Sequence, residues 1–367
     1  MRTLILTGPD HEGQHAVARA LKQSLAASGD GALILGALAL LGPHPSLSQM
    51  RALEQEALPQ PRGFAFLSAG GSFLRDNKRR SLVYEVNARY AERLQTLLLE
   101  GEFDAVLCLH RYAAEAVSYL RRIVSFSARC CYVSCDFACV PFLEETALDH
   151  YFIADESFAD AYQKRGIPAN KIVPVGIPLP VDWFSGQEKA DARALLNLPQ
   201  GMPCYFILNA EDPESAVDAL LDRFSGDSGR VCVVAPDGAP PRSPFVARYA
   251  GDIRVAVLAP EDRLHLYRAA CDVLLTAPFG AVSAAAAVSG VPLVHLPTSN
   301  AFEAQTARFF SERGMSLAAE TYASAAALAL GLAKDAANRE RMYAAQQNAC
   351  VADASQRIVT FLHEGRC

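Results

Sequence analysis

The chain of 367 residues has no apolar run of about 18 residues, the length a membrane-spanning helix would need. Its first apolar segment, in MRTLILTGPD, is too short for a secretory signal, and no small-residue cleavage pattern follows it. A basic excess is also missing: 34 Lys and Arg against 40 Asp and Glu leave a net charge of -6. That balance argues against a dedicated nucleic-acid binder. The ten cysteines lack any disulfide-framework pattern, and several lie inside apolar runs such as RVCVVA and AACDVLL. They read as buried thiols in a reducing compartment. Cys130, Cys131, Cys135 and Cys139 cluster but have no matching Cys/His pair nearby, so no bound metal is expected. Glycine is scarce at one telling place. The loop GPDHEGQH, between TLILT and AVARALKQSLAAS, holds only Gly8 and Gly13, where a phosphate-holding turn usually needs more. A cytoplasmic protein is expected, peripheral on the inner face of the cell membrane.

What is present is a steady alternation of strand and helix in a chain that is 51% apolar and 20% charged. Strands are expected at 3–7, 32–36, 104–110, 130–135 and 150–155. Helices are expected at 15–27, about 80–99, 112–122 and over SFADAYQKRG, closed by Gly166. GIPLPVDWFSG (176–186) breaks this rhythm with prolines and glycines and reads as a linker. The alternation then resumes, with strands at 204–208, 230–235, 253–258, 272–276 and 292–296 and helices from Pro213, at 261–270 and at 282–289. Strands that are apolar throughout indicate parallel sheets covered on both faces. The length favours two domains, 1–178 and 179–367, both Rossmann-like α/β units, with the last helix free to pack back on the first.

The stretches CLHRYAAEAVSYLRR, YVSCDFACVPF and LDHYFIADESFADAYQKRGIPANKIVPVGIPL resemble the diacylglycerol glycosyltransferases of glycosyltransferase family 28. That group includes the galactolipid (monogalactosyldiacylglycerol) synthases and is related to the transferase that adds N-acetylglucosamine to the peptidoglycan lipid precursor. The resemblance rests on Asp136–Phe137, Asp149–Ile153 and Lys164–Pro178. VLAPEDRLHLYRAACDVLLTAPFGAVSAAAAVSGVPLV and FEAQTARFF are similar in outline to the family's donor-binding segment. The resemblance implies a GT-B fold, with two Rossmann-like domains facing a cleft. It implies inverting transfer of a hexose from UDP-glucose or UDP-galactose to diacylglycerol or a related lipid. No cofactor or metal is implied, because helix termini and backbone amides would hold the diphosphate.

On the acceptor side the resemblance points to His15 and Asp136 as the groups that activate the hydroxyl, with His110 and Phe137 lining the site. A helix start disfavours imidazolium, so His15 would stay neutral and able to accept a proton. Asp136, at a strand end, is placed to orient a hydroxyl or share in base catalysis, or else to cap a turn. His110 either lines the site or caps the next helix. His11 reads as solvated loop. Arg75, Lys78, Arg79 and Arg80 precede a helix bearing Leu82, Val83, Val86, Tyr90 and Leu94. This pattern suits an anionic membrane surface, and equally a core-facing helix with a solvated basic turn. On the donor side, Pro278, Phe279, Gly280, Ala281 and Val282 would meet the diphosphate. Glu303 and Gln305 would hold the sugar, and the backbone near Val257 and Leu258 would read the base.

The chain departs from the family pattern at four places. Glu12 and Gln14 replace glycines in the first loop. Phe279 replaces a glycine, Ala285 stands where the family has a ribose-holding glutamate, and NAEDPES (209–215) lacks a glycine turn. These departures motivate a rival reading, a lipid- or nucleotide-binding protein with a decayed or altered donor site. A UDP-sugar 2-epimerase would keep the fold but finds none of its expected acidic and basic residues.

Overall fold

The computed structural model describes residues 1–8, 12–37, 60, 91, 93–184, 187–208, 214–234, 244–258 and 263–364. His11, Arg75, Lys78, Arg79 and Arg80 lie outside the described residues. The chain forms two compact units. Unit 1 comprises Met1–Pro180, Ser299–Phe302 and Val351–Cys367; unit 2 comprises Val181–Thr298 and Glu303–Cys350.

In unit 1 the strands are β1 (Arg2–Thr7), β2 (Gly31–Gly36), β3 (Ala105–Cys108), β4 (Arg129–Val133), β5 (His150–Ile153) and β6 (Ile172–Pro174). They form one sheet in the order β2-β1-β3-β4-β5-β6, and every pair is parallel. Leu4, Ile5 and Leu6 of β1 have no exposed surface, nor have Val106 and Leu107 of β3. Consecutive buried residues on a strand require cover on both faces, which is what parallel crossovers supply. Three helices of this cover are α1 (Glu12–Ala27), α2 (Arg111–Ile123) and α3 (Ala159–Lys164). Each large apolar side chain buried in this way stabilises the fold by about 1.5–3 kcal/mol.

Two boundaries differ from the sequence expectation for a visible reason. α1 starts at Glu12 rather than at 15, and the Gln14 side chain inside its first turn takes up the N–H of Gly8. β3 stops at Cys108 rather than at 110, because His110 turns out of the strand to cap α2. β6 carried no signal, being only three residues of half-exposed chain.

In unit 2 the strands are β7 (Cys204–Leu208), β8 (Arg230–Val234), β9 (Val255–Leu258), β10 (Val273–Thr276), β11 (Leu293–His295) and β12 (Leu317–Ala318). Their order is β12-β11-β10-β7-β8-β9, again all parallel. Counted within the unit this is 3-2-1-4-5-6 order, that of the doubly wound mononucleotide fold. The helices are α4 (Lys189–Leu195), α5 (Glu214–Asp222), α6 (Pro244–Tyr249), α7 (Leu264–Ala270), α8 (Gly280–Val288), α9 (Ala301–Glu312, whose first residues belong to unit 1), α10 (Tyr322–Lys334) and α11 (Ala336–Ala349). Asp272, just before β10, ties three elements together. Its carboxylate accepts from Lys189 Nζ (2.5 Å) and Arg193 Nη2 (2.7 Å) of α4 and from the Cys204 N–H (2.7 Å) of β7.

The chain then returns to unit 1 through α12 (Ala354–Glu364). The Phe361 ring meets His150 and Phe152 edge-on, at 4.7 and 5.3 Å between centroids. Arg129 Nη1 donates to the Phe361 carbonyl at 3.2 Å. Gly176 makes room for this return: it has φ +93°, and a Cβ on it would stand 2.7 Å from Val351 Cγ2. Among the described residues no helix is long and apolar enough to cross a membrane.

Candidate functional site

Ligands of open parallel sheets bind beyond the carboxyl ends of the strands, where the strand order reverses. In unit 1 that point lies between β1 and β3, whose ends lead to Gly8 and His110. Gly8 donates its N–H to Gln14 Oε1 at 2.8 Å. That amide would be the first offered to an anion at such a turn, and here a side chain has taken it. The same residue abuts His110: a Cβ on Gly8 would lie 2.6 Å from both Cγ and Cδ2 of the ring.

His110 is 8% exposed, and its Nδ1 accepts the Tyr112 N–H at 3.3 Å as the N-cap of α2. Burial pushes its pKa down to about 4, although the nearby Asp136 carboxylate pulls the other way. With Nδ1 accepting, the one proton of the neutral ring sits on Nε2. His110 therefore offers a hydrogen-bond donor, and the capping alternative describes its Nδ1. Asp136 follows β4 and is half-buried. Its carbonyl accepts from Ser134 Oγ at 2.8 Å, which fixes the backbone that carries the carboxylate. Phe137 is buried. Farther along this loop Phe142 is held at φ 71°, and Arg165 pairs with the buried Glu144 at 3.2 Å. A bulky residue in the left-handed region persists only where its surroundings over-determine it. The loop after Asp136 is thus rigidly built.

His15 is exposed in the first turn of α1, next to Gln14. Gly8, Gln14, His110 and Asp136 thus gather at the carboxyl edge of one sheet, with His15 on the helix that leaves it. They provide a neutral donor, a half-buried carboxylate and an exposed imidazole. The clustered cysteines are buried and take no part. Burial pushes Cys130 and Cys139 up to about 12, though Arg121 and Arg165 respectively pull them back, so neither is a ready nucleophile or ligand. Among the described residues no group of three or more His, Cys, Asp or Glu is placed to hold a metal ion.

In unit 2 the order reverses between β7 and β10. Residues 209–213, after β7, lie outside the described residues. After β10 come buried Pro278, half-buried Phe279 and then α8, of which Gly280, Ala281 and Ser283–Ala287 are buried while Val282 is half-buried. Phe279 stands at the N-cap and no side chain caps the helix, so its first amides point onward from the strand end. Ala285 has no exposed surface and brings no polar group. Leu258 is buried and Val257 half-buried at the end of β9. Glu303, in the first turn of α9, accepts from Thr298 Oγ1 at 2.6 Å, and Gln305 is half-buried.

His295 carries no signal of its own in the sequence, where it reads only as one residue of an apolar strand. It is wholly buried, and its two ring nitrogens meet two serines: Nε2 lies 3.0 Å from Ser283 Oγ of α8, and Nδ1 3.1 Å from Ser316 Oγ before β12. Burial pushes its pKa down to about 3. The Phe310 ring lies edge-on at 5.5 Å between centroids.

The architecture has close counterparts among solved structures. MurG of Acinetobacter baumannii aligns with a TM-score of 0.63 over 99% of this chain and 100% of its own, at 13% identity. The spinosyn rhamnosyltransferase SpnG aligns at 0.66, over 99% and 100%, at 14% identity. The UDP-GlcNAc 2-epimerase of Neisseria meningitidis, solved with UDP-GlcNAc bound, aligns at 0.64, over 99% and 100%, at 13% identity. The fold is therefore GT-B, an α/β architecture of two Rossmann-like units. More particularly, residues 64–179, which run through β3 to β6, match the family model described as monogalactosyldiacylglycerol (MGDG) synthase. The likeness to glycosyltransferase family 28 read from the motifs is found again in that match. No curated protein sequence matches the chain closely enough to count as a relative.

Proposed function

We propose that the protein is a glycosyltransferase that moves a hexose from UDP-glucose or UDP-galactose to a membrane lipid, diacylglycerol or a close relative, with inversion. The observation that carries this reading is the placement of the MGDG-synthase-like segment. It supplies β3, the loop after β4 and the pair His110 and Asp136, at the edge where a doubly wound sheet takes its ligand. In this reading Asp136 and His15 serve the attacking hydroxyl. Its oxygen bonds to the anomeric carbon as the bond to UDP breaks, and the hydroxyl proton passes to the base. His110, neutral with its proton on Nε2, donates to the acceptor or orients the carboxylate.

Gln14 occupies the Gly8 amide, which supports placing the nucleotide diphosphate in unit 2, at the uncapped start of α8. Backbone amides there would take the developing negative charge without a metal. The folds of MurG and of an epimerase solved with UDP-GlcNAc support a nucleotide-sugar donor. The basic cluster Arg75, Lys78, Arg79 and Arg80 is assigned to an anionic membrane surface.

A second reading rests on Phe279 and Ala285. A half-buried phenylalanine at the helix cap and an alanine with no exposed surface replace the small and acidic groups of the family. The protein would then bind lipid or nucleotide through an altered donor site. Calorimetry with UDP, UDP-glucose and UDP-galactose separates the two, followed by incubation with diacylglycerol vesicles and labelled donor. Glycolipid product, lost in His15→Ala with UDP affinity retained, is the expected result. Absence of binding to all three nucleotides would overturn the transferase reading, and undiminished turnover in His15→Ala would remove His15 from the mechanism.

A further inference from the structure

We infer that His295 is a positioning residue, which sets the first turn of α8 and through it the amides that meet the donor diphosphate. The inference rests on the placement of the diphosphate proposed above. His295 ends β11, in register with Thr276 at the end of β10 and with Ala318 in β12. From this place, one strand in from the sheet edge, its ring spans two elements. Nε2 meets Ser283 Oγ and Nδ1 meets Ser316 Oγ.

A neutral imidazole has one N–H and one lone-pair nitrogen, so one serine accepts from it and the other donates to it. Complete burial keeps the ring in that form, with its pKa near 3, so both bonds hold through the physiological range. Ser283 lies in the first turn of α8, and its N–H already closes that turn onto the Phe279 carbonyl at 2.8 Å. The other side chains of α8 are those of glycine, alanine and valine, with no polar group. The carbonyls of its last turn, Ala287 and Val288, accept from Gln347 Nε2 at 3.3 and 3.5 Å, so that end is held while the first turn relies on Ser283. Within α8, Ser283 is the one side chain with a directional bond across the sheet's covering layer among the described residues. An anion site made of backbone amides works only if the helix start is fixed to within about 0.5 Å. A helix this smooth needs a pin, and the Ser283–His295 bond supplies it.

The side-chain amides of glutamine and asparagine separate the two arms, since glutamine reaches the Nε2 position and asparagine the Nδ1 position. In the full chain, His295→Gln keeps the Ser283 bond, whereas His295→Asn and Ser283→Ala lose it. Two measurements apply to each variant: amide hydrogen exchange over residues 280–288, and UDP affinity by calorimetry. Losing the bond leaves a buried polar group unpaired, so the expected weakening of UDP binding in His295→Asn and Ser283→Ala is about tenfold. It should come with faster exchange over 280–288. His295→Gln should stay within about twofold of the parent in both, even where its melting temperature falls, a split that a purely structural role would not produce. Exchange over 280–288 unchanged in His295→Asn and Ser283→Ala would overturn the inference. So would His295→Gln behaving like His295→Asn. If the parent binds no UDP, the diphosphate placement fails while the exchange pattern still decides whether His295 pins α8. If His295→Asn does not fold, Ser283→Ala carries the test.

Discussion

Replacing Gly8 by alanine would test whether the carboxyl edge of unit 1 is built as tightly as its geometry implies. The new Cβ would stand 2.6 Å from two ring atoms of His110, about 1 Å inside the contact distance of carbon atoms. The ring has little freedom to retreat, since it is 8% exposed and tied through Nδ1 to the Tyr112 N–H. Overpacking of this kind costs about 1–3 kcal/mol. Pushing His110 off its cap adds about 0.5–2 kcal/mol, so a loss on the order of 2–4 kcal/mol is expected for unit 1. The only tryptophan, Trp183, lies in unit 2, so its fluorescence would miss this change. Native-state amide exchange read on β1, β3 and α2 is the suitable assay. A second substitution completes the cycle: His110→Ser removes the ring and keeps a capping oxygen. Gly8→Ala in that background should cost less than about 1 kcal/mol, the difference being the coupling between the two positions. A Gly8→Ala protein as stable as the parent would refute the argument. An equal penalty with and without the imidazole would also refute it, by placing the clash elsewhere.

Asp272→Asn should destabilise unit 2 by about 2 kcal/mol. That is less than the cost of breaking a fully buried pair, since Asp272 is 24% exposed while its partner Arg193 is only 4% exposed. Trp183 fluorescence in a denaturant titration reads this directly. Burial pushes the Asp272 carboxyl up, but bonds from Lys189 and the Cys204 N–H, with the Arg193 charge, outweigh it and hold the group below its ordinary 3.8. Its contribution is therefore complete above that value and is lost as pH falls through the lower folded value, a loss that Asp272→Asn should abolish. His110 acts in a different window. Its folded pKa is about 4 against 6.5, so only the unfolded chain takes up a proton between those values. Unit 1 should lose on the order of 3 kcal/mol as pH falls through that range, and His110→Ser should flatten the slope. Finally, Arg79→Glu with Arg80→Glu should reduce sedimentation with anionic vesicles at low salt, and equal sedimentation would return that segment to the core-facing reading.

Much of the architecture was legible because the strands are wholly apolar. TLILT, CYFIL and DVLLT admit no solvent-facing side, so two covered parallel sheets follow from them. Short elements such as α4, α6 and β6, of seven, six and three residues, are too brief to display a period in the sequence. The site was half legible. The motif around Asp136 announced its loop, but the two possible roles of His110 cannot be separated until the α2 backbone is seen to bond its Nδ1. Gln14 read as a lost glycine, whereas its side chain holds the Gly8 amide. His295 was invisible for a plainer reason: its partners Ser283 and Ser316 lie 12 and 21 residues away, and only the crossover of the chain unites them.

The return of the chain through α12 has a consequence for synthesis. Unit 1 is discontinuous, because Val351–Cys367 complete it after the whole of unit 2 has been made. On the ribosome, the β5 ring surface that Phe361 will cover and the bond from Arg129 to the Phe361 carbonyl must wait for α12 while residues 181–350 emerge and fold. Unit 2 is the part that can mature first, although it comes second in sequence. A stop codon near residue 350 would remove no strand of either sheet, yet it would leave unit 1 open along the flank where its first residues were laid down.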